Sequence, residues 1–203
     1  MQTLFYDSYI LNVYHLKDNQ MIISIGGDLG SGKSTLAKQL AEALGWKRYS
    51  MGQLHRDMAV SRGMTLVEHN KLAESDANID LEVDKYQENL GKTEDDFIIE
   101  GRTSWHFIPH SFKLYIKVDD MVGANRVLLA KREGEDKEMD TIEKVLNSLK
   151  GRKDNERKRY LDFFDIDVYD LKNYDYVLDT TSMTKAEVFN ETYAIIRKRL
   201  AEL

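Results

Sequence analysis

The chain has 203 residues, of which 42% are hydrophobic and 32% charged, with a formal net charge of −6 and no cysteine. That length supports one domain with a substantial core, while the acidic balance argues against a general binder of nucleic acid or anionic membranes. The cysteine-free composition excludes disulfides and thiolate metal sites and fits a reducing cytoplasm, and no apolar run approaches the ~20 residues of a membrane-spanning helix.

In chain order, residues 1–20 (MQTLFYDSYILNVYHLKDNQ) come first, aromatic at Phe5, Tyr6, Tyr9 and Tyr14 but interrupted by Asp7 and Asn12. They lack the basic start and clean apolar stretch of a signal peptide. They are expected to be a peripheral extension (an added edge strand, a dimer contact or a segment upstream of the natural start), with the main domain spanning residues 21–203. Residues 22–25 read as a buried strand. A glycine-rich turn follows, and a helix begins at Lys33 with Leu36, Leu40 and Leu44 on one face. Gly27-x-x-x-x-Gly32-Lys33-Ser34 matches the phosphate-binding loop pattern. The residue types suit that chemistry. Glycines adopt backbone angles that other residues resist and bring no side chain into the way of a phosphate. The backbone N–H groups of Gly27, Asp28, Leu29, Gly30, Ser31 and Gly32 then converge on phosphate oxygens at a helix N-terminus that favours anions. Lys33 would reach the β- and γ-phosphates, Ser34 would place its hydroxyl on Mg²⁺, and Thr35 adds a polar group toward the α-phosphate. The bland alternative is a glycine-rich turn with no ligand.

Residues 46–49 read as a second strand, ending at Ser50-Met51-Gly52 and leading into a helix that carries Arg56. An arginine there either faces the ligand crevice of an open α/β sheet or is simply solvated. Thr65 and Glu68 form a capping box. The helix that continues over 79–90 shows Ile79, Val83, Tyr86 and Leu90 on one face, with Glu74, Asp76, Asp80 and Asp84 expected on a solvated one. The helical stretch 51–92 is long for a connection and suits an insert that grips a substrate. Residues 97–102 form the next strand and end in Glu100-Gly101-Arg102. Glu100 is a candidate Mg²⁺ ligand, directly or through water, and Arg102 a second phosphate clamp; a hydrogen-bonded turn carboxylate is the alternative for Glu100. His106 and His110 are spaced like helical metal ligands, but Pro109 between them opposes a helix, and both read as structural or surface residues. A fourth strand covers 113–118, and Asp119 or Asp120 caps the helix bearing Arg126. In the charged tract 133–160, Arg152, Glu156 and Arg159 share one helical stripe. They belong either to a solvated, salt-bridged helix or to a mobile lid whose arginines close over a transferring phosphoryl group. A fifth strand spans 174–179, and Thr184 and Glu187 cap a last helix with Val188, Ile195 and Leu200 on its apolar face.

From Met21 to about Leu200 the chain resembles the cytidylate kinase family, in its short archaeal-type branch. The likeness rests on GGDLGSGKST at 26–35, Ser50-Met51-Gly52 with Arg56, Glu100-Gly101-Arg102, and the Arg152…Glu156…Arg159-Tyr160 pattern. The Asp165-Ile166-Asp167 stretch and Asp179-Thr180-Thr181 complete it. The resemblance implies a P-loop nucleoside-monophosphate-kinase-like three-layer α/β sandwich with a five-stranded parallel sheet of order 2-3-1-4-5. The core would comprise residues 21–50, 93–132 and 161–203, with a helical acceptor-binding insert at 51–92 and a lid at 133–160. It further implies transfer of the γ-phosphoryl of Mg-ATP to CMP or dCMP by a cytoplasmic monomer or weak dimer with no DNA, RNA or membrane partner. Residues 27–35 would bind ATP, and Arg56 and Arg102 would hold the acceptor phosphate with Ser50 nearby. Arg126, Arg152 and Arg159 would surround the transferring group beside Lys33, with Glu156 orienting the lid arginines. Met51 departs from the serine that precedes the glycine in longer bacterial members. Their acceptor-domain sheet has no counterpart here, so base recognition does not carry over; Asp76 and Asp80 are candidate acceptors for the cytosine amino group. A kinase for another nucleotide or for an alcohol, and a non-catalytic nucleotide-binding regulator, are the competing readings.

Overall fold

The sheet is built outward from the apolar run at its centre. In the computed structural model, which describes residues 20–73, 77–130 and 140–203, β1 is Ile22–Gly27, buried at every position. It pairs in parallel with β3 (Phe97–Glu100) on one side and β4 (Phe112–Lys117) on the other. Beyond them lie β2 (Lys47–Ser50) and β5 (Tyr176–Asp179), also parallel to their neighbours. Among the described residues the order is β2-β3-β1-β4-β5 in one five-stranded sheet, as the resemblance implied. The strands start or stop a residue or two from the bounds expected from apolar runs. In β1 the pairing carries on through Gly26 and Gly27, because β4 still offers partners there.

Alternation along the strands sorts side chains into two layers. Ile23, Ile25, Ile98, Leu114 and Ile116 meet Leu36 and Leu40 of α1 (Lys33–Leu44) and Val188, Ile196 and Leu200 of α8 (Lys185–Ala201). Ile22, Phe97 and Ile99 meet the insert helices: α2 (Met51–Ser61), α3 (Leu66–Ala73) and α4 (Ala77–Thr93). The short α5 (Ser104–Phe107) leads into β4, and α6 (Asp120–Ala130) follows it, capped by the Asp119 carboxylate, which accepts from the N–H groups of Met121 and Val122. Helix α7 (Ile142–Phe164) packs over a third, aromatic cluster of Trp105, Tyr115, Tyr160, Tyr169 and Tyr174. Residues 161–164 continue α7 without a break past the lid boundary expected at 160.

Both capping boxes form. Two helix faces differ from expectation. In α4, Gln87 rather than Tyr86 is buried, and Asp84 is buried too. Their polar atoms meet Thr103 and Ser104 from the start of α5, while Tyr86 stays 39% exposed against the edge of Tyr49. In α8 the fully buried position is Ile196, with Ile195 only half buried, because Thr192 and Ile196 continue the i, i+4 row from Val188 to Leu200. His106 and His110 are exposed. The expectations for residues 1–19, Glu74, Asp76 and residues 133–139 lie outside the described residues, as does the side chain of Asp80.

Helix α7 ends at Asp165, which takes a left-handed conformation with φ 55° while its N–H donates to Leu161 O at 3.0 Å. A Cβ is unfavourable there. Asp165→Gly is therefore expected to raise stability by about 0.5–1 kcal/mol, after allowing for the larger unfolded-state entropy of glycine. Urea unfolding would read the shift in midpoint.

Candidate active site

Residues 27–32 connect the end of β1 to α1, and the fold dictates the glycines at two of these positions. Gly27 has φ 144° and Gly30 φ 77°; a Cβ on the first would collide with the backbone of Ile116, and on the second with the backbone of Gly123. The loop is thus pressed onto β4 and α6. Asp28 N–H donates to Ile116 O at 3.0 Å, and Ser31 Oγ closes the turn on Asp28 O at 2.8 Å.

Charged side chains gather at this loop from the start of α1, the end of β3 and α7. Lys33, at the start of α1, donates to the carbonyls of Gly27 at 2.9 Å and Asp28 at 2.7 Å. Burial, and then the adjacent Arg102 charge, push its ammonium well below the ordinary lysine value. Arg102, two residues past the end of β3, donates to Gly27 O at 2.7 Å and to Glu156 at 2.7 Å. Arg152, one turn back on α7, donates to the other oxygen of Glu156 at 2.9 Å, and the Tyr169 hydroxyl donates to the oxygen that Arg102 binds. Burial alone would raise the Glu156 carboxyl. Arg102 and Arg152 outweigh it, and with the bonds from Tyr169 and Arg152 they hold the group well below the usual carboxylate range. Glu156 is therefore an ionised hub joining the end of β3 to α7.

The other expected residues lie further out. Arg159 stacks over Tyr160, its guanidinium carbon 5.0 Å from the ring centroid. Its charge reaches the insert, where burial first and Arg159 second push His55 of α2 down to about 4, so that imidazole is neutral. Arg126 of α6 binds the end of β5, donating to Thr180 O at 2.7 Å and Thr180 Oγ1 at 3.1 Å. Arg56 of α2 donates to Gln53 Oε1, and Ser50 caps that helix through Gln53 N–H. Glu100, buried at the end of β3, is bridged by Arg48 of β2 at 2.9 Å; the same nitrogen reaches Ser34 O at 3.3 Å. Lys33, Arg102, Arg152 and Glu156 thus form one cluster at the phosphate loop, while Arg56, Arg126 and Arg159 make contacts with Gln53, Thr180 and Tyr160 respectively.

Several participants escaped the sequence reading. The Asp28 carboxylate is buried and accepts from the Tyr115 hydroxyl at 2.9 Å, Val118 N–H at 3.1 Å and Lys153 Nζ at 3.0 Å. The Tyr169 ring is faced by Lys153, Arg157 and Arg102 at 5.0, 5.4 and 5.8 Å from its centroid. A signal existed for Lys153. Residues 153, 156 and 160 run i, i+3, i+7, and Tyr160 marks that row as the packed side of α7. Among the described residues, no group of three or more His, Asp or Glu side chains is placed to hold a metal ion. Ser34 and Glu100, the two residues expected at Mg²⁺, are joined through Arg48, which donates to Ser34 O and to one oxygen of Glu100.

Comparison with known proteins places the chain in a family. The model of the "Cytidylate kinase-like family" matches residues 22–182. A cytidylate kinase of Methanosphaera stadtmanae is 36% identical over 178 residues, covering 88% of this chain and 96% of that protein. One from Methanopyrus kandleri is 37% identical over 187 residues, covering 87% and 93%. Among solved structures, an uncharacterized protein from Eubacterium ventriosum aligns with a TM-score of 0.65 at 21% identity over 91% of this chain and 100% of that one. A shikimate kinase from Bacteroides thetaiotaomicron aligns at 0.61 and 13% identity over 91% and 99%. These two share the fold. The sequence match extends from β1, through the phosphate loop and the Glu156 hub, to the end of β5, and by it the chain belongs to the cytidylate kinase-like family.

Proposed function

We propose that the protein transfers the γ-phosphoryl group of ATP to CMP or dCMP, giving CDP or dCDP and ADP. The observation that carries this reading is the gathering of Lys33, Arg102 and Arg152 around the phosphate loop with Glu156 between the arginines, in a chain whose relatives are named cytidylate kinases.

The chemistry follows from charge. An anionic acceptor has to approach an anionic donor, and its phosphate oxygen is already a nucleophile, so no general base is needed. Catalysis reduces to positioning and neutralisation. Gly27 to Thr35 hold the ATP phosphates, Lys33 faces the transferring group, and Arg102 with Arg56 and Ser50 receives the acceptor monophosphate. Arg152 and Arg159 close over the γ-phosphoryl from α7, and Arg126 supports the donor side. Ser34 and Glu100 are the residues that would hold Mg²⁺, which would supply positive charge against the phosphates of ATP. The protein would work in the cytoplasm as a monomer or weak dimer, without a nucleic-acid partner; no helix among the described residues is long and apolar enough to cross a membrane.

The shikimate kinase likeness supports the fold and not an alcohol acceptor, since an alcohol calls for a carboxylate to take its proton. Glu156 is bound by two arginines, and Glu100, with Arg48 on one oxygen, is assigned to Mg²⁺. Coupled ADP release with Mg-ATP and CMP, dCMP, UMP, AMP, GMP, shikimate or no acceptor tests the reading. Turnover is expected with CMP and dCMP. ADP formation only with shikimate, or none that depends on an acceptor, would overturn it.

A further inference from the structure

A carboxylate inside a loop that binds polyphosphate works against binding unless its charge is committed elsewhere. Asp28 is such a carboxylate, and two rigid donors fix it from behind: the Tyr115 hydroxyl and the backbone N–H of Val118 at the end of β4. Its third partner is Lys153 of α7, with the side chains 9% and 29% exposed. The Asp28 backbone carbonyl meanwhile accepts from Lys33. One residue of the phosphate loop therefore touches the loop's own cation through its main chain and the arginine-bearing helix through its side chain. Lys153 lies next to Arg152 in sequence and one helical turn from Glu156, which is bound to Arg102. Two ion pairs a turn apart, each to a fixed element of the core, set both the position of α7 and its rotation about its own axis.

We propose that Asp28 and Lys153 are a positioning pair for phosphoryl transfer: Asp28 docks α7 on the phosphate loop so that Arg152 and Arg159 are presented to the transferring group. This rests on the kinase reading, in which those arginines act on the γ-phosphoryl. Neither Asp28 nor Lys153 itself needs to touch the reacting atoms. Binding of ATP relies on the loop backbone and Lys33, so loss of the pair should fall on kcat and spare the KM for ATP. A displacement of about 1 Å in a catalytic group is enough to cost ten- to a hundredfold.

The experiment is a double-mutant cycle on the full chain with Asp28→Asn, Lys153→Met and the double variant, plus Lys153→Arg, assayed with whichever monophosphate the wild type turns over fastest. In Asp28→Asn the one remaining oxygen can accept from Val118 N–H while the new NH₂ turns toward the Tyr115 hydroxyl, whose oxygen accepts, which guards the fold. Expected results are a roughly tenfold lower kcat in each single variant and a KM for ATP within about twofold of wild type. The double variant should be no slower than the slower single, and Lys153→Arg within about threefold of wild type. Independent, multiplying losses in the double variant, wild-type kcat in both singles, or a loss confined to KM would overturn the pairing. Hydrogen exchange across residues 142–164 in the ligand-free protein gives a readout that does not depend on acceptor identity. Faster exchange in Asp28→Asn and Lys153→Met but not in Lys153→Arg is expected, and unchanged exchange in both would overturn the docking role even if the acceptor proved not to be a cytidine nucleotide.

Discussion

Replacing Lys33 with alanine is expected to lower kcat by ~10²–10³ while leaving the protein folded, the usual cost of removing one charge-stabilising contact from a preorganised site. The fold should tolerate the change because Lys33 spends its hydrogen bonds on two carbonyls of its own loop, Gly27 and Asp28, rather than on the core. The Gly27 carbonyl keeps Arg102 as a donor afterwards. Far-ultraviolet circular dichroism and the urea midpoint should match wild type. Arginine should rescue poorly, since a planar guanidinium is broader than an ammonium at the end of a tight loop. Arg159→Ala should likewise cut kcat, acting from α7. Wild-type turnover in both variants would remove the site from the phosphate loop.

Arg102→Ala should strike stability and activity together. It strips one of two guanidiniums from a buried carboxylate and takes a donor from Gly27 O. Breaking a buried pair from one side costs about 3–5 kcal/mol, and the surviving contacts from Arg152 and Tyr169 place this case toward the lower end. The cost should depend on pH in a defined direction. In the wild type the Glu156 carboxyl is depressed below its unfolded value near ~4.3, so its contribution is fully present above that value and is lost as the pH falls below it. The stability gap between wild type and Arg102→Ala should therefore narrow as the pH falls below about 4.3. Urea titrations at several pH values measure it, and a gap that widened toward acid would contradict the assignment of Glu156 as the ionised hub.

Much of this architecture was legible in the residues. Apolar runs located the strands, the glycine spacing located the phosphate loop, and Ser/Thr-x-x-Glu pairs located helix starts, because all three are local rules. Strand order came through resemblance alone, since no local pattern states which strand lies beside β1. The Arg152–Glu156 pair was visible as an i, i+4 spacing. Lys153 was not singled out, because a lysine in a charged helix usually faces water and its partner Asp28 lies 125 residues away in sequence. Gln87 and Asp84 hid for the same reason: their burial is made tolerable by Thr103 and Ser104, which approach only once α4 and α5 are folded together. The Arg48–Glu100 bridge needs the β2–β3 register, which sets Arg48 beside Ile98 and Ser50 beside Glu100.

The Gly27 carbonyl, which accepts from Lys33 and Arg102 at once, has a consequence for turnover. Two like charges held side by side repel each other, and here a single oxygen with partial negative charge acts as their resident surrogate for a phosphate. Nucleotide entry is then an exchange of partners rather than the filling of bare cations, so part of the gross attraction goes into displacing the surrogate. The diphosphate products meet the same competitor on their way out. Such an internal rival tempers affinity for every phosphate that visits and keeps the cycle from stalling on its own product.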